Sequence, residues 1–143
     1  MELWAKNFHE KCDNKGPTIT LYKNNNGFIF GGYASISWTS DGNYHAAPDC
    51  FIFTLTNIHN TEPTKFPTKD KDQGTQHSSS KGPTFGDGCD INISSDFLKS
   101  DSNTDFPCRY KDIIGKGKSV FTSDPNNSNS SYRLKEIEVF KII

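Results

Sequence analysis

Residues 18–38 of the chain are TITLYKNNNGFIFGGYASISW, and this stretch decides the fold class. Thr18–Lys23 and Phe28–Trp38 both alternate apolar with polar or small side chains, as strands with one buried face do. Asn24-Asn25-Asn26-Gly27 lies between them, and its Asn-Gly pair supplies the positive φ that a tight turn requires. The stretch therefore predicts an antiparallel β-hairpin.

Three more segments alternate in the same way: Cys89–Ser94, Tyr132–Ile143, and Phe51–Leu55, in which Phe51, Phe53 and Leu55 share a face. Lys65–Thr68 contains Pro67, which cannot donate to a ladder and therefore indicates a short edge strand. The chain is thus rich in short strands.

A helix is predicted over Glu2–Cys12, because apolar side chains recur there at helical spacing: Trp4, Phe8 and Cys12 are four residues apart, and Ala5 adds to their side. Gly16 and Pro17 end it, since Gly16 can take a left-handed cap and Pro17 cannot continue a helix.

The remaining segments are polar. Asp70–Gly82 predicts a loop with weak pairing in its middle, Asp124–Ser131 a loop, and Asp96–Lys118 a loop with one helical turn near Ile113. Many short strands after one helix favour a mainly β (α+β) class, namely a two-layer antiparallel β-sandwich with an N-terminal flanking helix. The length of 143 residues fits one domain over residues 1–143.

Composition narrows the function classes. The aromatic content of 13% predicts a folded chain, because disordered segments are poor in aromatic residues. The net charge of -1 gives no basic surface for nucleic acid. No apolar run approaches the roughly 20 residues of a membrane span, and the N-terminus does not resemble a signal peptide. These features predict a cytoplasmic protein without membrane insertion, whose four cysteines are free thiols rather than disulfides.

Several side chains are of the types that carry out catalysis or bind metals. His9 near Cys12 suggests an activated thiol, but Cys12 lies on the apolar stripe, where burial suppresses reactivity. The Cys and His residues offer no close metal-ligand pair, and Asp87–Asp90 lacks the later ligands of a calcium loop. Ser78–Ser80 lies near His77 without a nucleophile elbow. The sequence therefore predicts no catalytic residue, cofactor site or metal site.

Gly31 and Gly32 lie inside a predicted strand, where glycine packs nothing and costs conformational entropy. A bulge or a ring covering the backbone explains them structurally, and the alternative is a ligand approaching the backbone. Trp38, at the end of the same segment, is predicted to anchor the core.

Four blocks, in this order, resemble the TLDc domain, and most closely its short, protist-like members: Phe8–Thr18, Gly31–Trp38, Gly82–Gly86 and Leu134–Phe140. The residues that carry the family motifs or structural positions are Phe8, His9, Glu10, Cys12, Gly31, Gly32, Ser35, Trp38, Gly82, Pro83, Phe85, Gly86, Glu136 and Glu138.

The resemblance implies two antiparallel sheets packed face to face with flanking helices. It further implies a non-catalytic interaction module that binds and regulates the vacuolar proton pump (V-ATPase) and supports resistance to oxidative stress. Two alternatives are a structural component of a larger assembly and a thiol-dependent peroxide-handling enzyme. Partner contacts are expected in the loops Thr39–Pro48 and Thr61–Gly82, because binding loops tend to lie on a rigid scaffold.

The resemblance departs from the family ahead of Phe8. TLDc domains have a strand before this helix, whereas seven residues precede Phe8 here. Three explanations stay open: the chain is a fragment, a partner supplies the strand, or the strand is dispensable. A sheet lacking a strand exposes an unpaired edge, and such edges pair with other chains.

Overall fold

The computed structural model of this chain describes residues 4–69 and 74–143, which form short strands with one helix at the start and one near the end. The elements in chain order are α1 (Trp4–Cys12), β1 (Thr18–Asn24), β2 (Ile29–Ala34), β3 (Tyr44–His45), β4 (Phe51–Thr54), β5 (Thr64–Pro67), β6 (Thr75–Gln76), β7 (Thr84–Phe85), β8 (Ser102–Asn103), α2 (Ser119–Thr122), β9 (Ser131–Tyr132) and β10 (Leu134–Lys141). All named strand pairs are antiparallel, so the mainly β class predicted from the sequence is confirmed.

The largest sheet has five strands in the order β10-β1-β2-β4-β5. Its centre is the predicted hairpin, in which β1 and β2 pair from Thr18 opposite Ala34 to Lys23 opposite Ile29. Asn24 fixes the turn, because its Oδ1 accepts the backbone N–H groups of Asn26 and Phe28 at 3.0 and 3.1 Å. The last strand of the chain, β10, returns to pair with β1 and forms one edge of the sheet. The predicted edge strand with Pro67 is β5, at the other edge.

The inner face of this sheet is covered by two smaller sheets, β3-β6-β7 and β8-β9, together with loops. Burial alternates along β1, where every second side chain points into the core. Aromatic rings dominate this core because each buries a large apolar area, which compensates for the modest hydrophobic fraction. The largest fully buried side chains are Trp38, Tyr22, Tyr110, Phe30, Phe66, Phe85, Phe106, Phe121, Ile52, Ile91, Ile93 and Leu134.

Helix α1 packs its predicted stripe against this core. The rings of Trp4 and Phe8 stack at 5.6 Å, and Phe8 meets Trp38 edge-on at 5.7 Å. Asn14 and Gly16 both have positive φ after the helix, at 62° and 82°. The helix therefore ends where the sequence predicts. The predicted first residue, Glu2, lies outside the described residues.

Two predicted strands have different bounds: β2 ends at Ala34 rather than Trp38, and Tyr132–Ile143 divides between β9 and β10, which belong to different sheets. Two other local predictions are wrong. Cys89–Ser94 is not a strand, because only isolated bridges at Ile91 and Asn92 join it to the rest of the structure, although Ile91 and Ile93 are buried as the alternation indicates. The predicted helical turn near Ile113 is absent from the described chain around that residue, where Asp112 instead accepts three backbone N–H groups and holds a loop. The short helix forms later, at α2.

The prediction of four free thiols is also wrong for one pair. Cys89 and Cys108 form a disulfide with their Cα atoms 6.1 Å apart, whereas Cys12 and Cys50 are free. Asp90 explains the proximity, because its carboxylate accepts the backbone N–H groups of Cys108, Arg109 and Tyr110 and draws that loop against Cys89.

Candidate protein-interaction surface

The side of the five-stranded sheet that faces away from the core, called the outer face below, carries a band of apolar side chains. Strand register places two rows of residues across this face, Phe140-Ile19-Tyr33-Phe51-Pro67 and Glu138-Leu21-Gly31-Phe53-Lys65. The first row is apolar throughout, whereas the second has a charged residue at each end. Most of these apolar side chains keep part of their surface in solvent. A contiguous band of partly exposed apolar side chains marks interaction sites more often than a scatter of single residues does.

The band contains a groove at β4. Phe51, Phe53 and Leu55, which the sequence places on one face, line a groove of about 280 Å³ with Pro63 and Lys65. Phe51 contacts neighbours on both adjacent strands. The centre of its ring lies 5.4 Å from that of Tyr33 and 4.4 Å from the Nζ of Lys65. The aromatic face of β4 is therefore the outer face, and Ile52 and Thr54 point to the core.

The family-motif residues mostly support the inner layer. Phe8, Trp38 and Phe85 are buried in the core, and Pro83 accepts a hydrogen bond from the Tyr22 hydroxyl at 2.6 Å. Gly82 leaves room for the ring of Trp4, which lies 2.7 Å from where a Cβ would be. The structure thus brings these motif residues together as packing.

The two strand glycines make close approaches possible. No register shift occurs at Gly31 or Gly32. A Cβ on Gly31 would lie 2.6 Å from the Phe53 ring, and one on Gly32 would collide with Phe85. The glycines are therefore explained by aromatic rings that cover the backbone of β2, and not by a β-bulge.

The other motif residues are dispersed. Glu136 and Glu138 lie exposed on β10, Glu10 is exposed on α1 beside Lys6 at 3.9 Å, and the Ser35 hydroxyl has no hydrogen-bond partner within the described residues. Gly86 has φ 78°, and the Asp90 side chain occupies the space where its Cβ would be.

His9 does not activate Cys12. Its Nδ1 lies 2.7 Å from the Asp13 carboxylate, and its Nε2 contacts the backbone oxygens of Ser78 and Lys81 at 2.8 and 2.9 Å. Burial raises the pKa of the Cys12 thiol, which opposes thiolate formation. His9 therefore fastens α1 to the loop before β7.

Ser40 and Asp13 give no nucleophile either. The Ser40 hydroxyl donates to Asp13 Oδ2 at 2.6 Å, while His9 contacts Asp13 Oδ1. A serine nucleophile needs its hydroxyl on the histidine with the carboxylate behind that ring, and the order here is different. The arrangement joins the loop after Trp38 to the end of α1.

A cluster of two histidines and an aspartate forms between the loops Thr39–Pro48 and Thr61–Gly82. The strand pair β3-β6 brings His45 against His77 with ring centres 4.0 Å apart, and Asp41 lies 2.7 Å from His45 Nε2. The two predicted partner-facing loops therefore pack on each other through these side chains. No local sequence pattern predicts this cluster, because His77 lies far from Asp41 and His45 in the sequence.

His77 is neutral in this cluster. The backbone N–H of Thr39 donates to Nδ1 at 3.0 Å, so the ring proton is assigned to Nε2, which donates to Thr75 Oγ1 at 2.8 Å. Burial, with His45 nearby, lowers the pKa of His77 from 6.5 to about 4. A metal ion on Asp41, His45 and His77 would have to displace the Thr39 N–H, so the geometry fits a hydrogen-bonded core histidine.

Acid is expected to destabilise the fold through His77. Its folded pKa of about 4 lies below the unfolded 6.5, so its contribution is fully present above pH 6.5 and is lost as the pH falls towards 4. We expect the free energy of unfolding to drop by about 2 kcal/mol between pH 7 and pH 5 from this group. Urea unfolding at both pH values measures it, and His77→Gln should flatten the dependence. An equal slope in the variant would contradict this assignment.

The second group of ligand-type atoms is Cys89, Asp90 and Cys108. Both sulfurs are bonded to each other, and thiolates are needed to bind a metal, so this cluster does not fit a metal site. Burial raises the pKa of the Asp90 carboxyl despite its three backbone N–H partners. Its role is to hold the loop, together with the Asp87–Arg109 ion pair at 3.0 Å.

Neither helix among residues 4–69 and 74–143 has the length and apolar character that a bilayer crossing requires.

Comparison with known proteins identifies a family and a group of relatives. The family model described as TLDc domain matches residues 2–143. The MTOR-associated protein MEAK7 of Gallus gallus is 37% identical over 57 residues, which are 38% of this chain and 12% of that protein. Its counterpart in Danio rerio is 39% identical over 44 residues, 31% of this chain and 10% of that protein. The matched segments thus cover only about a tenth of the length of these relatives.

Proposed function

This chain belongs to the TLDc domain family, and on that premise we propose that it is a cytosolic, non-enzymatic protein-binding module that acts through the outer face. Residues 1–143 would form one such domain. The observation that carries the proposal is the apolar band centred on Phe51, which is too continuous for a face of a sheet that meets only water. His9, the histidine of the family motif, is instead held by a hydrogen bond to the backbone oxygen of Ser78.

The proposed partner is a subunit of the V-ATPase. The support is the resemblance of the four sequence blocks to domains that regulate this pump. Resistance to oxidative stress would then be a consequence of that regulation in the cell.

A second candidate partner is a protein of the mTOR assembly. It is supported by the name of the matched relatives, which are MTOR-associated proteins. The same surface would serve, so one capture experiment can compare the two partners.

We expect the double variant Phe51→Ser/Leu55→Ser to lose at least about tenfold in partner capture, because large buried side chains at the centre of an interface contribute most of its affinity. The matched control is Leu98→Ser/Ile113→Ser, which removes apolar groups that are 57% and 59% exposed elsewhere on the surface. Bait protein immobilised at equal density is incubated with detergent extract, and V-ATPase and mTOR subunits are quantified by mass spectrometry.

Thermal unfolding of both double variants accompanies the capture experiment. Equal capture by the outer-face variant and the wild-type chain would reject this surface. Capture of neither set of subunits would reject both partners and favour a structural component of another assembly. Peroxide consumption that is abolished by Cys12→Ser would replace the proposal with the thiol enzyme.

A further inference from the structure

Strand β10 forms one edge of the five-stranded sheet over its eight residues, Leu134–Lys141. The N–H of Ile142 donates to the Pro17 carbonyl at 3.0 Å, so its backbone groups point toward β1. Because alternate residues of a strand point the same way, Ile137, Val139 and Lys141 direct their N–H and C=O groups away from β1. Within the described part of the chain, no strand pairs with that side.

A groove lies beside this edge on the inner side of the sheet. It has a volume of about 340 Å³ and separates α1 from β10. Its apolar walls come from Trp4, Phe8 and Cys12 on the helix and from Ile137 and Val139 on the strand, and Asn7 and Lys11 complete the lining. Side chains of a strand added to β10 would enter this groove at every second position, since they alternate between the two faces.

The other side of the edge is acidic. Glu136 and Glu138 point to the outer face, opposite Lys23 and Leu21 of β1. Neither glutamate forms an ion pair with another described residue, and both are exposed. Lys135 and Lys141 belong to the opposite face by alternation. Residues of an added strand that point outward would therefore lie beside carboxylates, which favours lysine or arginine there.

We propose that β10 receives an extended segment of a partner protein as a sixth strand, in which apolar side chains that fill the α1–β10 groove alternate with basic side chains beside Glu136 and Glu138. Backbone hydrogen bonds would provide affinity and the alternating side chains specificity, as in other cases of strand addition. This inference rests on the proposed protein-binding function and names the edge at which a partner enters.

A second copy of the chain fits this edge poorly. Two antiparallel β10 strands pair over the greatest length when Ile137, or else Glu138, lies opposite the same residue of the other copy. The first register sets Glu136 opposite Glu138, and the second sets Glu138 opposite itself. Like charges directly opposite each other are destabilising, so the edge selects a partner of opposite charge.

The test is a titration of the isotope-labelled full chain with an acetylated, amidated peptide of alternating Val and Lys, about seven residues long. Amide shifts in NMR spectra are expected at Ile137, Val139 and Lys141 and at the groove residues of α1. N-methylation of one alternating set of peptide amides should lower affinity at least about tenfold, while the other set leaves it unchanged, because alternate amides point to opposite sides of a strand. Glu136→Gln/Glu138→Gln should weaken binding, and the matched control Glu62→Gln, an exposed glutamate near the far edge, should not.

Equal effects of the two methylated peptides, or shifts centred on Phe51 and Leu55, would overturn strand addition at β10. So would equally tight binding of a peptide in which Glu replaces Lys. These outcomes leave the proposed function standing if the Phe51→Ser/Leu55→Ser variant still loses its captured partner. Normal capture by that variant, together with peptide binding at β10, would reject the outer face and retain the edge.

Discussion

Gly32→Ala is expected to lose about 3 kcal/mol or more of unfolding free energy, because the new methyl group would occupy the space of the Phe85 ring. Gly32 lies on the core side of β2, between Thr20 and Ile52 of the neighbouring strands. The Phe85 ring cannot withdraw easily, since it is fully buried and meets Trp38 edge-on at 5.5 Å. Urea unfolding followed by tryptophan fluorescence measures the loss.

Two double variants distinguish a steric clash with an aromatic ring, at Gly32, from a clash with the backbone, at Gly31. Phe85→Leu should recover part of the stability of Gly32→Ala, because it removes the atoms that the new methyl group meets. Phe53→Leu should not recover Gly31→Ala, because a Cβ there also meets the backbone carbonyl oxygen of Thr20. Strict additivity at Gly32 and Phe85 would show that the steric explanation is wrong.

Asp90→Ala is expected to cost about 3–5 kcal/mol, because it leaves three backbone N–H groups without an acceptor in the core. The carboxylate of Asp90 is fully buried and accepts from Cys108, Arg109 and Tyr110 at 3.0, 2.8 and 3.1 Å. The N–H groups of residues 108–110 should therefore exchange faster with deuterium. Asp90→Asn, which keeps one oxygen, should fall between the wild type and the alanine variant.

Asp124 provides the control for burial. Its carboxylate also accepts three backbone N–H groups, from Asn126, Ser128 and Asn129, but Asp124 is only half-buried, so solvent reaches it. Water can replace it as an acceptor, so Asp124→Ala should lose much less stability than Asp90→Ala. Losses of equal size in the two variants would mean that burial is not the cause.

The outer face and the loop around the disulfide are held in place by different interactions. The Asp90 loop is held by many hydrogen bonds to buried groups and lies on the inner side of the molecule. The outer face consists mainly of side chains of paired strands, which hold their positions, and only Leu55 and Pro63 of its groove lie just beyond the ends of β4 and β5. A partner that binds the outer face would thus meet a rigid surface, which lowers the entropy cost of association.

The sequence alone determined the elements whose signals are local. The hairpin of β1 and β2, residues 18–34, follows from alternation and from Asn24–Gly27, and the end of α1 follows from Gly16 and Pro17. The edge position of β5 follows from Pro67, whose missing N–H excludes it from the centre of a sheet. In each case neighbours in sequence carry the whole physical argument.

Only the tertiary structure decided which face of β4 meets the core, which cysteines join and which histidines meet. Alternation with period two defines two faces of a strand, but it does not say which face a second layer will cover. Phe51 lies on the uncovered face because the inner layer packs on Ile52 instead. The contacts Cys89–Cys108 and His45–His77 close long stretches of chain, and such contacts depend on the packing of the whole core rather than on any local pattern.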